Sequence, residues 1–212
     1  YRLDGSSRFN RNHRYISTPS FSLGWRASEE NFIRDNYDFI NELKFRGSIG
    51  LSSKDGNNSY YGAQAVYNLN TLTSYGGYNY LQMSQPGNEN LDWERTITYD
   101  AGIDLEMFEG RFKMTFDYFY KKTTNMLFAS DLPLYTGYQK ENQNIADMMN
   151  QGIDLQFITT NIQTNDFQWQ TILNLSRSTN KILKLNFEGN QLDQANSSYK
   201  YYAEGEPIAQ WY

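Results

Sequence analysis

Acidic residues at alternating positions are the part of this sequence that most resembles reactive chemistry. Asp100, Asp104 and Glu106 share one side of a single alternating segment, and the next segment adds Lys113 and Asp117. Two carboxyl groups about 5 to 10 Å apart can act together in glycoside hydrolysis. The same charged residues, repeated along one face of a long strand, are also typical of the wall of a water-filled lumen. The surrounding elements favour the lumen wall, so we expect no catalytic residue and no enzyme.

The segment that carries these carboxylates predicts a long β-strand. Between 97 and 107, apolar residues occupy every second position, and acidic, polar or small residues lie between them. A period of two is produced by a strand, whose successive side chains leave on opposite faces. Strands of globular proteins average about 5 to 6 residues, whereas a strand tilted across a bilayer needs about 9 to 11. A second alternating run, 112 to 121, follows the Gly-containing connection 108 to 111 and predicts an antiparallel hairpin.

Other parts of the chain predict strands of the same kind. The clearest alternate between apolar and polar residues at 20 to 26, 43 to 51, 152 to 160 and 167 to 176, with Ile172 as an exception to the alternation. A further strand is predicted to end at Leu3, and another to begin near Ile182. Together these segments predict about six to eight strands.

Short and long connections alternate between these predicted strands. The short or moderate ones are 27 to 42, 108 to 111 and 161 to 166, and the long ones are 52 to 92 and 123 to 150. Short periplasmic turns and long extracellular loops are typical of outer-membrane barrels. The first short connection contains "SEENFIRD", which predicts a short helix with Ser28 as its N-cap.

Aromatic residues fit the same orientation. With the short turns on the periplasmic side, Trp25, Phe112 and Trp169 are expected near the inner membrane interface and Tyr118 and Tyr120 near the outer one. Amphipathic rings are favoured at both interfaces of a bilayer.

Composition excludes several classes of protein. The 212 residues include 18 Tyr, 13 Phe and 4 Trp, yet the mean hydropathy is only -0.76. That mixture is typical of membrane β-barrels, and no apolar run is long enough for a transmembrane helix. The net charge of -5 gives no reason to expect nucleic-acid binding, and with no Cys and a single His a thiolate or multi-His metal site is not expected. We predict an all-β, antiparallel transmembrane β-barrel segment without a metal or cofactor; the alternative is a secreted, aromatic-rich β-sandwich that binds carbohydrate.

The long connection 52 to 92 holds the candidate contact residues. Aromatic faces stack on sugar rings or pack against partner proteins, so these tyrosines are candidates for ligand or partner contact. The other interpretation is that the loop packs on itself. The candidates are Tyr60, Tyr61, Tyr75, Tyr78 and Tyr80.

Several segments in collinear order resemble one family. The chain resembles the C-terminal barrel region of SusC/RagA-type TonB-dependent outer-membrane transporters, the nutrient importers of Bacteroidetes-like bacteria. Each motif is short, but the ordered set covers nearly the whole chain. The motifs are "DGSSRF", "SFSLGWRASEE", "NELKFRGSIG", "NENLDWERTITYDAGIDL", "DYFYKKTTNML", "LPLYTGY", "NIADMMNQGIDLQ", "NLSRSTNKILKL" and "GEPIAQWY".

The resemblance carries expectations about function. It implies energised uptake of oligosaccharides or peptides across the Gram-negative outer membrane, with a SusD-like surface lipoprotein as lid and the TonB complex acting on a plug domain. No plug domain or TonB-binding segment is recognised in 1 to 212, so we interpret these residues as a partial TonB-dependent receptor β-barrel. Such barrels have about 22 strands around a plugged lumen. A siderophore or cobalamin receptor of another TonB-dependent branch is the remaining alternative.

Overall fold

The computed structural model of the chain is dominated by long antiparallel strands. It describes residues 1–56, 60–75, 78–138, 140–185, 191–193, 200–208 and 210–211. The largest sheet has six strands in the order β10-β9-β8-β7-β4-β3 and is not closed. Its strands are β3 (Ser20–Arg26), β4 (Ile40–Lys54), β7 (Glu94–Met107), β8 (Phe112–Asp131), β9 (Lys140–Gln163) and β10 (Gln168–Leu185).

Shorter strands form three smaller sheets. These are the pairs β1 (Arg2–Gly5) with β2 (Tyr15–Thr18) and β5 (Val66–Tyr75) with β6 (Tyr78–Gln85), and the three strands β11 (Gln191–Asp193), β12 (Lys200–Ala203) and β13 (Gln210–Trp211). Between β2 and β3, Pro19 has no N–H to donate, but its carbonyl oxygen accepts a hydrogen bond from Leu51 at 2.9 Å. Pairing with β4 therefore continues past the proline.

The predicted central hairpin is confirmed, and so is its division into an apolar face and a charged face. β7 and β8 pair from Met107 opposite Phe112 to Arg95 opposite Thr124. Because the register is unbroken over this length, the apolar sets of both strands fall on one face of the sheet and the charged sets on the other. The turn between the strands has positive φ at Phe108, Glu109 and Gly110.

In the part of the chain that the structure describes, helical structure is limited to short segments. The helix α1 (Asn31–Arg34) lies in the connection between β3 and β4, as predicted, and single 3-10 turns occur at Arg11–His13, Ala27–Glu29 and Leu134–Thr136. The predicted N-cap was wrong: Ser28 lies within the preceding 3-10 turn, and Glu30 occupies the N-cap position without a side-chain capping bond. Within the described residues no helix is long and apolar enough to cross a membrane.

Two predicted connections contain more strand than expected. The stretch 123 to 150 is not a long loop, because β8 runs on to Asp131 and β9 begins at Lys140. The connection 52 to 92 includes the β5–β6 hairpin. The prediction that a new strand starts near Ile182 was also wrong, since this residue belongs to β10 and pairs with Met148.

The buried core is small and lies away from the middle of the sheet. One cluster joins Phe9, Ile16, Leu91 and Trp93 at the end of the strands opposite the short turns, and a second joins Ala146, Ile182 and Leu185. The second cluster is formed where β9 and β10 extend past the middle of the sheet, with Met126 and Phe128 of β8 packed against it, and the apolar side chains from the middle of the sheet belong to neither cluster. The sheet therefore keeps an uncovered apolar face.

Candidate functional site

The uncovered apolar face, which we call the outer face, runs along all six strands. Even on strands with a neighbour on each side, Tyr118 and Ile153 keep 41% and 42% of their surface exposed. A β-sandwich would bury such residues beneath a second sheet about 10 Å away. Among the described residues no second sheet packs here. The face includes Phe21, Leu23, Trp25, Phe45, Ile49, Tyr99, Ala101, Ile103, Phe116, Leu155, Leu173 and Leu175.

Aromatic residues mark the end of the outer face nearest the short turns. Tyr37, Phe39 and Phe108 form a chain of ring contacts with centroids 6.0 and 5.8 Å apart. Close to them, the indole of Trp25 stacks on Phe45 and donates a hydrogen bond to Glu30 at 3.1 Å. Such rings, with an apolar body and a hydrogen-bonded polar edge, are typical of a membrane interface.

The other end of the outer face is marked by tyrosines followed by cations. Tyr99 and Tyr120 lie 6.1 Å apart, and the next outward position on β8 is Lys122. Phe112 and Tyr120 are separated by about 27 Å along the strand, which corresponds to a height of about 19 to 22 Å for a barrel strand tilted by about 35 to 45°. This height matches the apolar band of an outer-membrane barrel, about 25 Å tall. On β10 the apolar run likewise ends at a cation, Arg177.

The opposite face, which we call the inner face, carries a network of charges. Arg46 on β4 contacts Asp104 at 3.1 Å and reaches Asp117 on β8 at 2.6 Å, across the intervening strand. That contact is possible because Gly102 stands in register between Arg46 and Asp117. A Cβ at Gly102 would lie only 2.6 Å from atoms of both side chains. The glycine therefore makes room for an ion pair that spans three strands.

Other polar groups of the inner face also bond to one another. Lys113 lies opposite Glu106 and contacts it at 2.9 Å. Ser48 donates to Asp100 at 3.2 Å, and Gln156 donates to Asn174 at 2.9 Å across β9 and β10. The carboxylates first considered for acid–base chemistry thus have cationic or hydrogen-bonding partners. Groups of three or more potential metal ligands do not occur in the described part of the chain.

The segment 88 to 94, "NENLDWE", joins the strands at the end opposite the short turns. Leu91 and Trp93 are buried, and burial of a large apolar side chain contributes about 1.5 to 3 kcal/mol. The Trp93 indole donates to the carbonyl oxygen of His13 at 2.8 Å. Asn144 on β9 accepts from the amide of Asp92 at 2.9 Å and donates to its carbonyl oxygen at 2.8 Å. The motif therefore holds β7, β9 and the β1–β2 connection together.

The structure describes the side chains of two of the five predicted contact tyrosines. Tyr60 and Tyr61 are exposed and line a cavity of about 590 Å³ beside the β1–β2 connection. Tyr75, Tyr78 and Tyr80 belong to the β5–β6 hairpin, and their side chains lie outside the described part of the structure. The prediction of contact at all five remains a prediction.

Sequence reasoning missed the arginines of this cavity. Arg8, Arg11 and Arg14 line it together with the two tyrosines. A signal was present in "SRFNRNHR", which concentrates basic residues within a chain of net negative charge. The role of Arg46 as the centre of the inner-face network was also missed, because it depends on the register of three strands.

The two faces define the class of structure to which this sheet belongs. One face presents an apolar band bounded by aromatic residues, and the other presents ion pairs and amides. An antiparallel sheet with this division is the wall of a transmembrane β-barrel. The sandwich alternative would require a second sheet over the outer face.

Comparison with known proteins gives the family. The family model described as "TonB dependent receptor-like, beta-barrel" matches residues 1–211. The chain belongs to this family. It is 35% identical over 184 residues to TonB-dependent receptor P26 of Formosa agariphila, and 33% identical over 191 residues to TonB-dependent receptor SusC of Bacteroides thetaiotaomicron. Each alignment covers 87% of this chain, and 18% and 19% of the respective relative.

Solved structures agree with the family. The structure of the RagAB peptide transporter matches 97% of this chain and 22% of its own, with 26% identity and a TM-score of 0.86. The resemblance to the SusC/RagA type is thus confirmed. The chain spans about a fifth of the length of the curated relatives it matches.

Proposed function

We propose that residues 1–212 form part of the barrel wall of a TonB-dependent outer-membrane importer of SusC type. The supporting observation is the division of the six-stranded sheet into an uncovered apolar outer face and an ion-paired inner face. In this proposal the outer face contacts lipid and the inner face lines the lumen. The plug domain and the TonB-binding segment belong to other parts of the transporter.

The proposed cargo is an oligosaccharide or a peptide. This chain is similar to SusC and to the RagAB peptide transporter. The two proposed classes of cargo are those expected for transporters of this SusC/RagA type. A SusD-like surface lipoprotein would close the extracellular side, and the TonB complex would supply energy through the plug. Import would proceed by conformational change, because the carboxylates of the inner face are held in ion pairs and hydrogen bonds rather than as a catalytic pair.

An immunoblot of outer membranes from the source cells tests this proposal. An antibody against residues 1–212 is applied to heated and unheated samples. We expect a band several times heavier than 24.8 kDa that migrates differently after heating, as folded barrels do. A water-soluble band near 24.8 kDa with no shift on heating would contradict the proposal and favour an autonomous secreted domain.

A further inference from the structure

The cavity beside the β1–β2 connection is built largely from basic and aromatic side chains. Its volume is about 590 Å³, and its lining includes Arg8, Arg11, Arg14, Tyr60 and Tyr61. The only acidic side chain in the lining is Glu89, so the described wall is net positive, whereas the whole chain has a net charge of -5. Positive charge is thus concentrated at this cavity.

One of the arginines already has partners that fix its position. Arg8 contacts Asp55 at 3.0 Å, and its guanidinium carbon lies 4.8 Å from the centre of the Tyr60 ring. The ion pair and the cation–π contact hold the ring and the guanidinium together at one side of the cavity. This side of the site is therefore preorganised.

The other two arginines differ from Arg8. Among the described residues no carboxylate forms an ion pair with Arg11 or Arg14. The Nε atom of Arg14 is buried and has no hydrogen-bond partner there. A buried donor without an acceptor is costly, and most buried polar groups in proteins have a partner. Because this Nε atom is closed to solvent, a ligand in the cavity can accept hydrogen bonds from Arg14 only at the terminal nitrogens of its guanidinium group.

The base beneath these arginines is rigid. Phe9, which follows Arg8, is buried against Trp93 with ring centroids 5.1 Å apart. The hydrogen bond from the Trp93 indole to His13 fixes the backbone beside Arg14. Since the backbone around the arginines is anchored, a ligand would not have to order it on binding.

We propose that this cavity binds a carboxylate group of the imported oligomer. Arg11 and Arg14 donate hydrogen bonds to the carboxylate, and Tyr60 and Tyr61 lie against the adjoining part of the ligand. Guanidinium groups match carboxylates through paired charge-assisted hydrogen bonds, and exposed tyrosine rings provide a flat apolar surface. The inference rests on the proposed import function and adds a chemical class of ligand to it.

Binding to the complete transporter, purified from outer membranes in detergent, tests the inference by isothermal titration calorimetry. The probes are a short oligogalacturonate and its methyl ester of the same length, in which each charged carboxylate is replaced by a neutral ester that is larger by one methyl group. We expect the acid to bind about tenfold or more tightly than the ester, with an affinity that falls at high salt. The proposal would be overturned if the acid and the ester bound equally or not at all, and if an acidic peptide likewise bound no more tightly than its amidated counterpart.

A variant assigns the effect to the arginines. In Arg11→Gln/Arg14→Gln the preference for the acid should disappear, while the control Arg2→Gln, at an exposed arginine that lies outside the cavity, should keep it. Loss of the preference in both variants, or in neither, would contradict the assignment. The comparison of acid and ester on the unmodified transporter remains decisive even where the double variant assembles poorly.

A peptide arm distinguishes the source of the carboxylate. An acidic peptide and its fully amidated counterpart are titrated in the same way. Arginine-dependent preference for the acidic peptide alone would support carboxylate recognition and assign it to peptides, whereas preference for oligogalacturonate alone would assign it to sugars. Absence of preference in both arms would overturn carboxylate recognition, while the position of the protein on the heated and unheated immunoblot would still test the import function separately.

Discussion

The two faces of the six-stranded sheet are built from the same strands but carry opposite kinds of side chain, apolar on one face and charged or polar on the other. Ile103 and Asp104 are adjacent in the chain, yet Ile103 contributes to the uncovered apolar face and Asp104 is paired with Arg46 at 3.1 Å. On the inner face the charges and amides bond to one another. On the outer face the apolar side chains remain uncovered, which suits an apolar environment. The difference teaches that the two faces suit different solvents, as the proposed barrel wall requires, with water on one side and lipid on the other.

The substitution expected to have the largest effect, and so to test this comparison most strongly, places a charge on the outer face. Ile103→Arg places a cation near the middle of the apolar band and should cost about 2 to 4 kcal/mol. The matched control is Gln156→Arg on the inner face, where we expect a change within about 0.5 kcal/mol. The measurement is the fraction of protein in outer membranes that migrates as a folded, heat-modifiable band. Equal loss in both variants would break the distinction between the faces.

A smaller effect is expected from filling the space between Arg46 and Asp117. Gly102→Ala forces a Cβ to within 2.6 Å of both side chains, and overpacking of this kind should cost about 1 to 2 kcal/mol. Gly50→Ala is the matched control on the same face, because its Cβ would meet only the Cβ of Ser20, at 3.4 Å. That substitution should be neutral or stabilising by up to about 0.5 kcal/mol, since alanine loses less entropy than glycine in a strand. Urea unfolding in detergent micelles measures both, and a neutral Gly102→Ala would contradict the role assigned to Gly102.

The smallest effect concerns the exposed pair of Lys113 and Glu106. Both side chains are partly in solvent, so Lys113→Gln should change the free energy of unfolding by about 0 to 1 kcal/mol despite the contact of 2.9 Å. The same urea titration at low and high salt measures this change, and high salt should remove most of it. A loss above about 2 kcal/mol that persists at high salt would mean that this pair lies in a dry environment.

Period-two alternation was sufficient to predict the faces and the central hairpin. The run from 97 to 107 lies within β7 and that from 112 to 121 within β8, with the expected turn between them. The reason is that one apolar face specifies both strand and register, because a slip of one residue would invert every side chain. Segments with this signal were therefore predictable from local sequence.

Strand extensions beyond the apolar band were not predictable in this way. Residues 121 to 124, "KKTT", are polar on both faces, and the following segment contains bulges near Met126. Outside the apolar band no face has to be apolar, so the alternation ends while backbone pairing continues to Asp131. The local pattern then resembles a loop.

Long-range contacts explain the missed parts of the candidate site. Arg46 meets Asp117 only because β4, β7 and β8 align in register around Gly102. Arg14 and Tyr60 come to one cavity from connections that are far apart in sequence. Neither arrangement leaves a periodic signal, although the cluster of basic residues in "SRFNRNHR" indicated where to look.

Cysteine labelling along β7 tests the central claim most directly. Residues 1–212 contain no cysteine, so single cysteines at Asp100, Ile103, Asp104 and Leu105 can each be compared in intact outer membranes with the transporter that carries none of these substitutions. We predict that a charged, water-soluble maleimide labels the Asp100 and Asp104 positions, whereas the Ile103 and Leu105 positions react only with a lipid-soluble reagent. Equal labelling of all four positions by the water-soluble reagent would contradict a lipid-facing outer face and, with it, the barrel wall.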